Sequence, residues 1–153
     1  MNKVFLNKYQ VIAGLIILTC GCIIYIIDRP PWQTVWVSNT ITLYTEKQKV
    51  FGSIGDYLPS FFHVISFSLM VAGIIADKLR QYLYIIGFWL TINLIFEILQ
   101  LDAFQSITKL NWLRTYSFNG VFDFKDLIAI FLGGFIAFVF LTVTRRKGIR
   151  NVS

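Results

Sequence analysis

Charge is scarce in this chain. Only 14% of its 153 residues are Asp, Glu, Lys or Arg, where a soluble domain carries roughly 25%. That is too little to cover a water-facing surface, so an ordinary soluble domain is excluded. Histidine is scarcer still, with His63 alone. Chemistry that needs two histidines has no second one to use. The two cysteines, Cys20 and Cys22, lie inside one apolar run. A Cys-x-Cys pair on one helix is poor geometry for a disulfide and lacks two further ligands for a metal. We read them as small apolar residues and expect neither a metal nor a cofactor. A basic start, an apolar run and Leu18-Thr19-Cys20-Gly21-Cys22 loosely match a lipoprotein signal. The chain stays apolar through Ile27, which favours an uncleaved first helix, although lipidation of Cys20 or Cys22 stays open.

What the chain has in place of charge is apolar length. Val11–Ile27, Phe61–Ala76, Tyr82–Leu99 and Leu127–Val143 are long apolar runs, and 56% of all residues are hydrophobic. Crossing a membrane takes about 20 apolar residues, with roughly 17 as a lower limit. We therefore expect an all-α, four-helix integral membrane bundle forming one domain over residues 1–153. The expected spans are about 10–27, 59–76, 82–100 and 124–143. The second run is broken by His63, Ser66 and Ser68, so it is the one expected to be buried against the others. Arg29-Pro30-Pro31 ends the first helix. Residues 28–58 and 101–123 are expected as loops. The first of them accommodates a short hairpin, Thr34–Val37 with Thr40–Leu43 around Ser38-Asn39. Gly52, Gly55 and Pro59 are expected to break the chain before the second helix.

Net charge is +6. The bases lie outside the apolar runs, so a membrane explanation comes before nucleic acid. Lys3, Lys8, Lys78, Arg80, Arg145, Arg146, Lys147 and Arg150 share one side of a four-pass arrangement, with Asp77 the sole acid there. The positive-inside rule then places both termini, and the basic tail 144–153, in the cytoplasm.

The other side collects the acids and the histidine. Asn93, Glu97 and Gln100 are spaced i, i+4, i+7 and form one helical stripe. A carboxylate at the edge of an apolar helix is costly and should face inward toward a partner; His63 and Arg114 are the partners considered. His63 can act as an acid, a base or a metal ligand, or simply pair with a carboxylate. Asp123 stands at an N-cap position, and Asp126 falls in the first turn, where the helix dipole favours an anion. Asp126, Ala129, Gly133 and Ala137 share a face, and the last three repeat small residues every fourth position. Small faces of this kind let membrane helices approach closely. Arg114, among Trp112, Leu113 and Tyr116, suits a phosphate or carboxylate. His63, Glu97, Gln100, Arg114, Asp123 and Asp126 together make the candidate polar site.

The order of these residues resembles a family. Asp56-x6-His63-x3-Phe67, then Glu97-x2-Gln100, then Arg114, then Asp123-x2-Asp126-Leu127-Ile128-Ala129-x3-Gly133 is similar to the VanZ-like membrane proteins. The likeness covers about residues 50 to 140, and Ile130 stands where many members have Asn. It implies a multi-pass protein of the bacterial cytoplasmic membrane with a cell-envelope role, which in some members is glycopeptide (teicoplanin) resistance. It implies no established reaction.

Three functional classes follow as expectations. In the first, the polar cluster recognises an amphiphile, a cell-wall-related ligand or a partner protein. In the second, it acts on a lipid-linked substrate, with His63 as acid or base, Glu97 and Asp126 positioning a metal or water, and Arg114 binding phosphate. The third is a transporter, disfavoured by the lack of mid-membrane charge and broken helices unless the chain oligomerises. The lipid bilayer is the expected partner and nucleic acid is not.

Overall fold

The structure is a computed structural model, and it describes residues 6–30, 42–44, 49–101 and 111–145. Within these residues every regular element is an α-helix: α1 (Lys8–Asp28), α2 (Ile54–Ile75), α3 (Leu79–Ile98), α4 (Asn111–Asn119) and α5 (Phe124–Val143). α1, α2, α3 and α5 are each long and apolar enough to cross a membrane. At 20 to 22 residues each reaches about 30 Å, the thickness of the hydrocarbon core. The expected hairpin lies outside the described residues, apart from Thr42 and Leu43. The backbone N–H of Leu43 donates to the carbonyl of Ile26, so this part of the loop returns to the end of α1.

α2 is the central helix and packs on α1, α3 and α5. It is also the most buried of the four, with 44% of its apolar window inside the bundle against 17% for α3. Ser66 and Ser68 are fully buried on it; the Ser66 hydroxyl donates to the His63 carbonyl of the same helix, and Ser68 Oγ has no partner among the described residues. The core joins Ile65, Leu69 and Ala72 of α2 to Tyr82 and Ile86 of α3 and Ala137 and Leu141 of α5.

Lipid is as apolar as leucine, so close packing between helices has to replace the hydrophobic effect. Glycine makes that packing possible here. A Cβ on Gly14 of α1 would stand 2.8 Å from the Ser66 carbonyl of α2, and one on Gly73 of α2 would stand 2.8 Å from Val11 of α1. On α5, a Cβ at Gly133 would stand 2.8 Å from the carbonyl of Phe61. Ala129, Gly133 and Ala137 are all buried, and Gly133 seats this face of α5 against α2.

The two ends of the bundle differ. At one end Asn7 donates its backbone N–H to Gly73 and its amide to the Thr144 carbonyl, and Gln10 donates to the Thr144 hydroxyl. Arg145 donates to the Asp77 carbonyl. Both terminal helices and the α2–α3 turn therefore meet at this basic end. The opposite end carries the longer connections and most of the acids.

Three boundaries depart from the sequence expectation. α2 begins at Ile54, with Pro59 inside it. Proline in the second turn removes the one hydrogen bond to the Gly55 carbonyl, and the helix continues past it. α3 begins at Leu79 because the Gln81 side chain accepts the N–H groups of Asp77 and Lys78 and caps the turn. The second long loop is not all loop. Its residues 111–119 form α4, and Leu113, Tyr116, Ser117 and Gly120 follow the i, i+3, i+4, i+7 spacing of one helical face.

Candidate functional site

The acidic end is built from the C-terminal ends of α1 and α3, the N-terminal ends of α2 and α5, and α4. Glu97 lies in the last turn of α3, only 5% exposed. That is an unfavourable place for an anion, because the helix dipole is negative there. One carboxylate oxygen, Oε1, accepts from Gln100 Nε2 at 3.2 Å. The other, Oε2, is buried with no hydrogen-bond partner among the described residues. Gln100 is buried too, and its amide also donates to the Tyr116 hydroxyl at 3.0 Å. The side chain of Gln100 leaves no room for a Cβ at Gly120, so a glycine is needed where the chain leaves α4. Ser117 ties α4 to the end of α3 by donating to the Leu99 carbonyl at 2.7 Å. Burial, then the charge of Glu97, raises the Tyr116 phenol above its ordinary range.

Asp126 is buried at the start of α5, and its Oδ1 accepts from the Ser60 hydroxyl of α2 at 2.8 Å. Asp123 is the N-cap of α5 and accepts the Lys125 N–H at 2.9 Å. Glu97 and Asp126 are close enough to repel each other electrostatically. His63 lies one turn further along α2 than Ser60, and its imidazole makes no hydrogen bond among the described residues. It tilts against Phe67, ring centroids 5.9 Å apart, and Phe67 stacks on Trp89 of α3 at 4.6 Å.

Arg114, the cation that sequence reasoning selects, is exposed and lies over the Phe118 ring at 5.4 Å. Among the described residues it forms no ion pair with Glu97, Asp123 or Asp126. The cation within range of Glu97, Asp126, His63 and Tyr116 is Arg29, just after α1. Its guanidinium lies 5.0 Å from the Tyr25 ring centroid and donates to the backbone carbonyl of Asp56. Its Nε is buried without a partner among the described residues. Proximity in sequence to Pro30-Pro31 makes Arg29 look like a loop charge, and only the packing of α1 on α2 brings it inward.

Asp28 is a second residue that spacing alone passes over. It is 1% exposed and accepts the N–H groups of Val50 and Phe51 at 2.6 and 2.9 Å. A signal for it existed, since an aspartate at a helix C-terminus opposes the dipole and needs donors from elsewhere. A Cβ on Gly55 would collide with the Asp28 carboxylate. Asp28 thus clasps the returning loop to α1 and α2. Asp56 takes no part in that clasp; it pairs with Lys49 at 2.6 Å on the exposed side.

No protein-family model, curated protein or solved structure matches the chain.

Chemically, then, the acidic end holds a buried carboxylate acceptor at Glu97 and a half-buried guanidinium at Arg29, whose Oε2 and Nε respectively have no partner among the described residues. Asp126 and Ser60 flank them, and an unbonded imidazole stands beside an aromatic stack. Among the described residues no three His, Cys, Asp or Glu side chains gather as a metal site. The arrangement suits the recognition of a group that both donates and accepts hydrogen bonds.

Proposed function

We propose that this chain is a VanZ-like integral membrane protein of the bacterial cell envelope, with both termini in the cytoplasm. Its acidic end recognises the polar head of an amphiphilic, cell-wall-related ligand at the outer face of the cytoplasmic membrane. The observation that carries this reading is Glu97, a buried carboxylate at the end of an apolar helix with one oxygen unpaired. Ionisable groups in such positions are expensive, and function is the usual reason they are kept. Arg29 supplies the complementary charge. The orientation rests on the bases at the opposite end of the bundle, which the positive-inside rule assigns to the cytoplasm. Binding is preferred to catalysis because His63 rests against Phe67, with no hydrogen bond to Glu97 or Asp126 that would prepare it as an acid or base.

The test is expression in a teicoplanin-susceptible Gram-positive host, with the inhibitory concentration as readout and membrane abundance measured alongside. The wild-type chain is expected to raise that concentration severalfold. Glu97→Gln and Arg29→Gln should abolish the rise at unchanged abundance, and Arg114→Gln should leave it intact. No rise with the wild-type chain, or a rise that survives both site variants, overturns the reading. A fluorescent protein fused to the C-terminus checks the orientation, since it should fluoresce only from the cytoplasm.

A further inference from the structure

The basic end of the bundle, remote from the polar site, has a feature of its own. Between α1 and α5 runs an apolar groove of about 450 Å³, lined by Tyr9, Ile12, Ala13, Ile16, Phe140 and Thr144. Its volume lies within the range of about 300–1,000 Å³ typical of small-molecule sites. Tyr9 and Thr144 mark its mouth at the basic end, and Ile16 lies seven residues deeper along α1. Seven helical residues cover roughly 10 Å. One leaflet of hydrocarbon is about 15 Å deep. The groove therefore follows an acyl chain from the headgroup level through most of one leaflet. Its aromatic mouth matches the interfacial position that tyrosine favours.

Charge decides between lipids. Lys8 immediately precedes Tyr9, and Arg145 immediately follows Thr144; both are exposed. Lys3, Arg146, Lys147 and Arg150 flank them in sequence. The acid at this end is Asp77; Arg145 Nε donates to its backbone carbonyl, which leaves the other guanidinium nitrogens for a phosphate. Two lining residues at the mouth thus have exposed cations as their immediate chain neighbours, and the groove itself is almost wholly apolar.

We propose that the α1–α5 groove is a binding site for an anionic phospholipid, one acyl chain lying along Ile12, Ile16 and Phe140 and the phosphate meeting Lys8 and Arg145. Each base near a membrane surface is worth about a fivefold gain for an anionic lipid. The pair should therefore favour an anionic over a zwitterionic headgroup by about 25-fold. The site is independent of the proposed ligand at the acidic end.

Native mass spectrometry of the detergent-solubilised chain tests it. Palmitoyl-oleoyl phosphatidylglycerol is titrated against phosphatidylcholine with the same chains. The wild-type protein should retain the first more than tenfold better. Lys8→Gln with Arg145→Gln should bring the two lipids to parity. Ile12→Trp, which fills the groove from its exposed side without entering the core, should reduce retention of both lipids severalfold. Circular dichroism confirms that each variant is folded. Equal retention of the two lipids by the wild-type chain overturns the proposal. So does undiminished retention by folded Ile12→Trp, because the bases would then act on a diffuse surface and not at the groove.

Discussion

Ser60 on α2 donates its hydroxyl to Asp126 on α5 across 2.8 Å. The bond joins the two helices beside the candidate site and partly compensates the buried carboxylate. Interhelical hydrogen bonds within membranes are worth about 0.6–2 kcal/mol. Ser60→Ala should lower unfolding stability in detergent by about 1 kcal/mol. Ser60→Thr, which keeps the hydroxyl, should stay closer to the wild type. A thermal melt followed by near-ultraviolet circular dichroism measures both.

The Asp28 clasp predicts a different failure. Removing its carboxylate leaves the Val50 and Phe51 donors without their charged acceptor. Hydrogen bonds to charged groups contribute about 1.5–3 kcal/mol. Asp28→Ala should therefore release the loop before it unfolds the bundle. Limited trypsin digestion should cleave after Lys49 several times faster in this variant, while the melting transition of the helices moves much less.

Two glycines should respond in opposite directions. Gly133 has no room for a methyl group, because the obstacle is the Phe61 backbone. Gly133→Ala should destabilise by about 1–3 kcal/mol, the usual cost of overpacking. A Cβ on Gly87 of α3 would meet nothing within 4 Å. Gly87→Ala should gain about 0.5–1 kcal/mol from helix propensity. Paired denaturation curves check the contrast, which would vanish if α2 and α5 did not touch at Gly133.

Tyr116 gives the fold an alkaline limit. Its phenol is raised by burial first and by the Glu97 charge second, so the folded chain holds this proton more tightly than the unfolded chain. The stability it contributes is complete below the ordinary tyrosine value of about 10 and is lost as pH rises through the folded value. Tyr116→Phe should start lower by about 1 kcal/mol, because Gln100 loses an acceptor. It should also lose stability less steeply than the wild type between pH 9 and 11. Parallel slopes for the two proteins would show that Tyr116 is not protected in the bundle.

Much of this bundle was legible in the residues. Apolar runs of spanning length mark the four long helices, and their physics is local, since a helix in lipid must satisfy its own backbone. The spacing of Ala129, Gly133 and Ala137 defines a small-residue stripe by arithmetic alone. The seryl and histidyl interruptions of α2 mark it for the interior. α4 was missed because its inward face, Leu113, Tyr116, Ser117 and Gly120, is only partly apolar, so hydrophobic periodicity is weak there. Gly52, Gly55 and Pro59 suggested a break before the second helix, but Gly55 and Pro59 lie inside α2.

By itself, then, the sequence determined four apolar helices, a basic end and an acidic end, and an inward orientation for Glu97 and Asp126. Each follows from composition or from the 3.6-residue period. Only the tertiary structure decided which groups meet at the acidic end. It brought Arg29, not Arg114, within electrostatic range of Glu97 and Asp126, joined Ser60 to Asp126 and Gln100 to Tyr116 across elements, and turned Asp28 from a helix terminus into a clasp. Such pairings depend on how close two helices can come. That distance is controlled by glycines on the opposing faces, not by the spacing of the polar residues themselves.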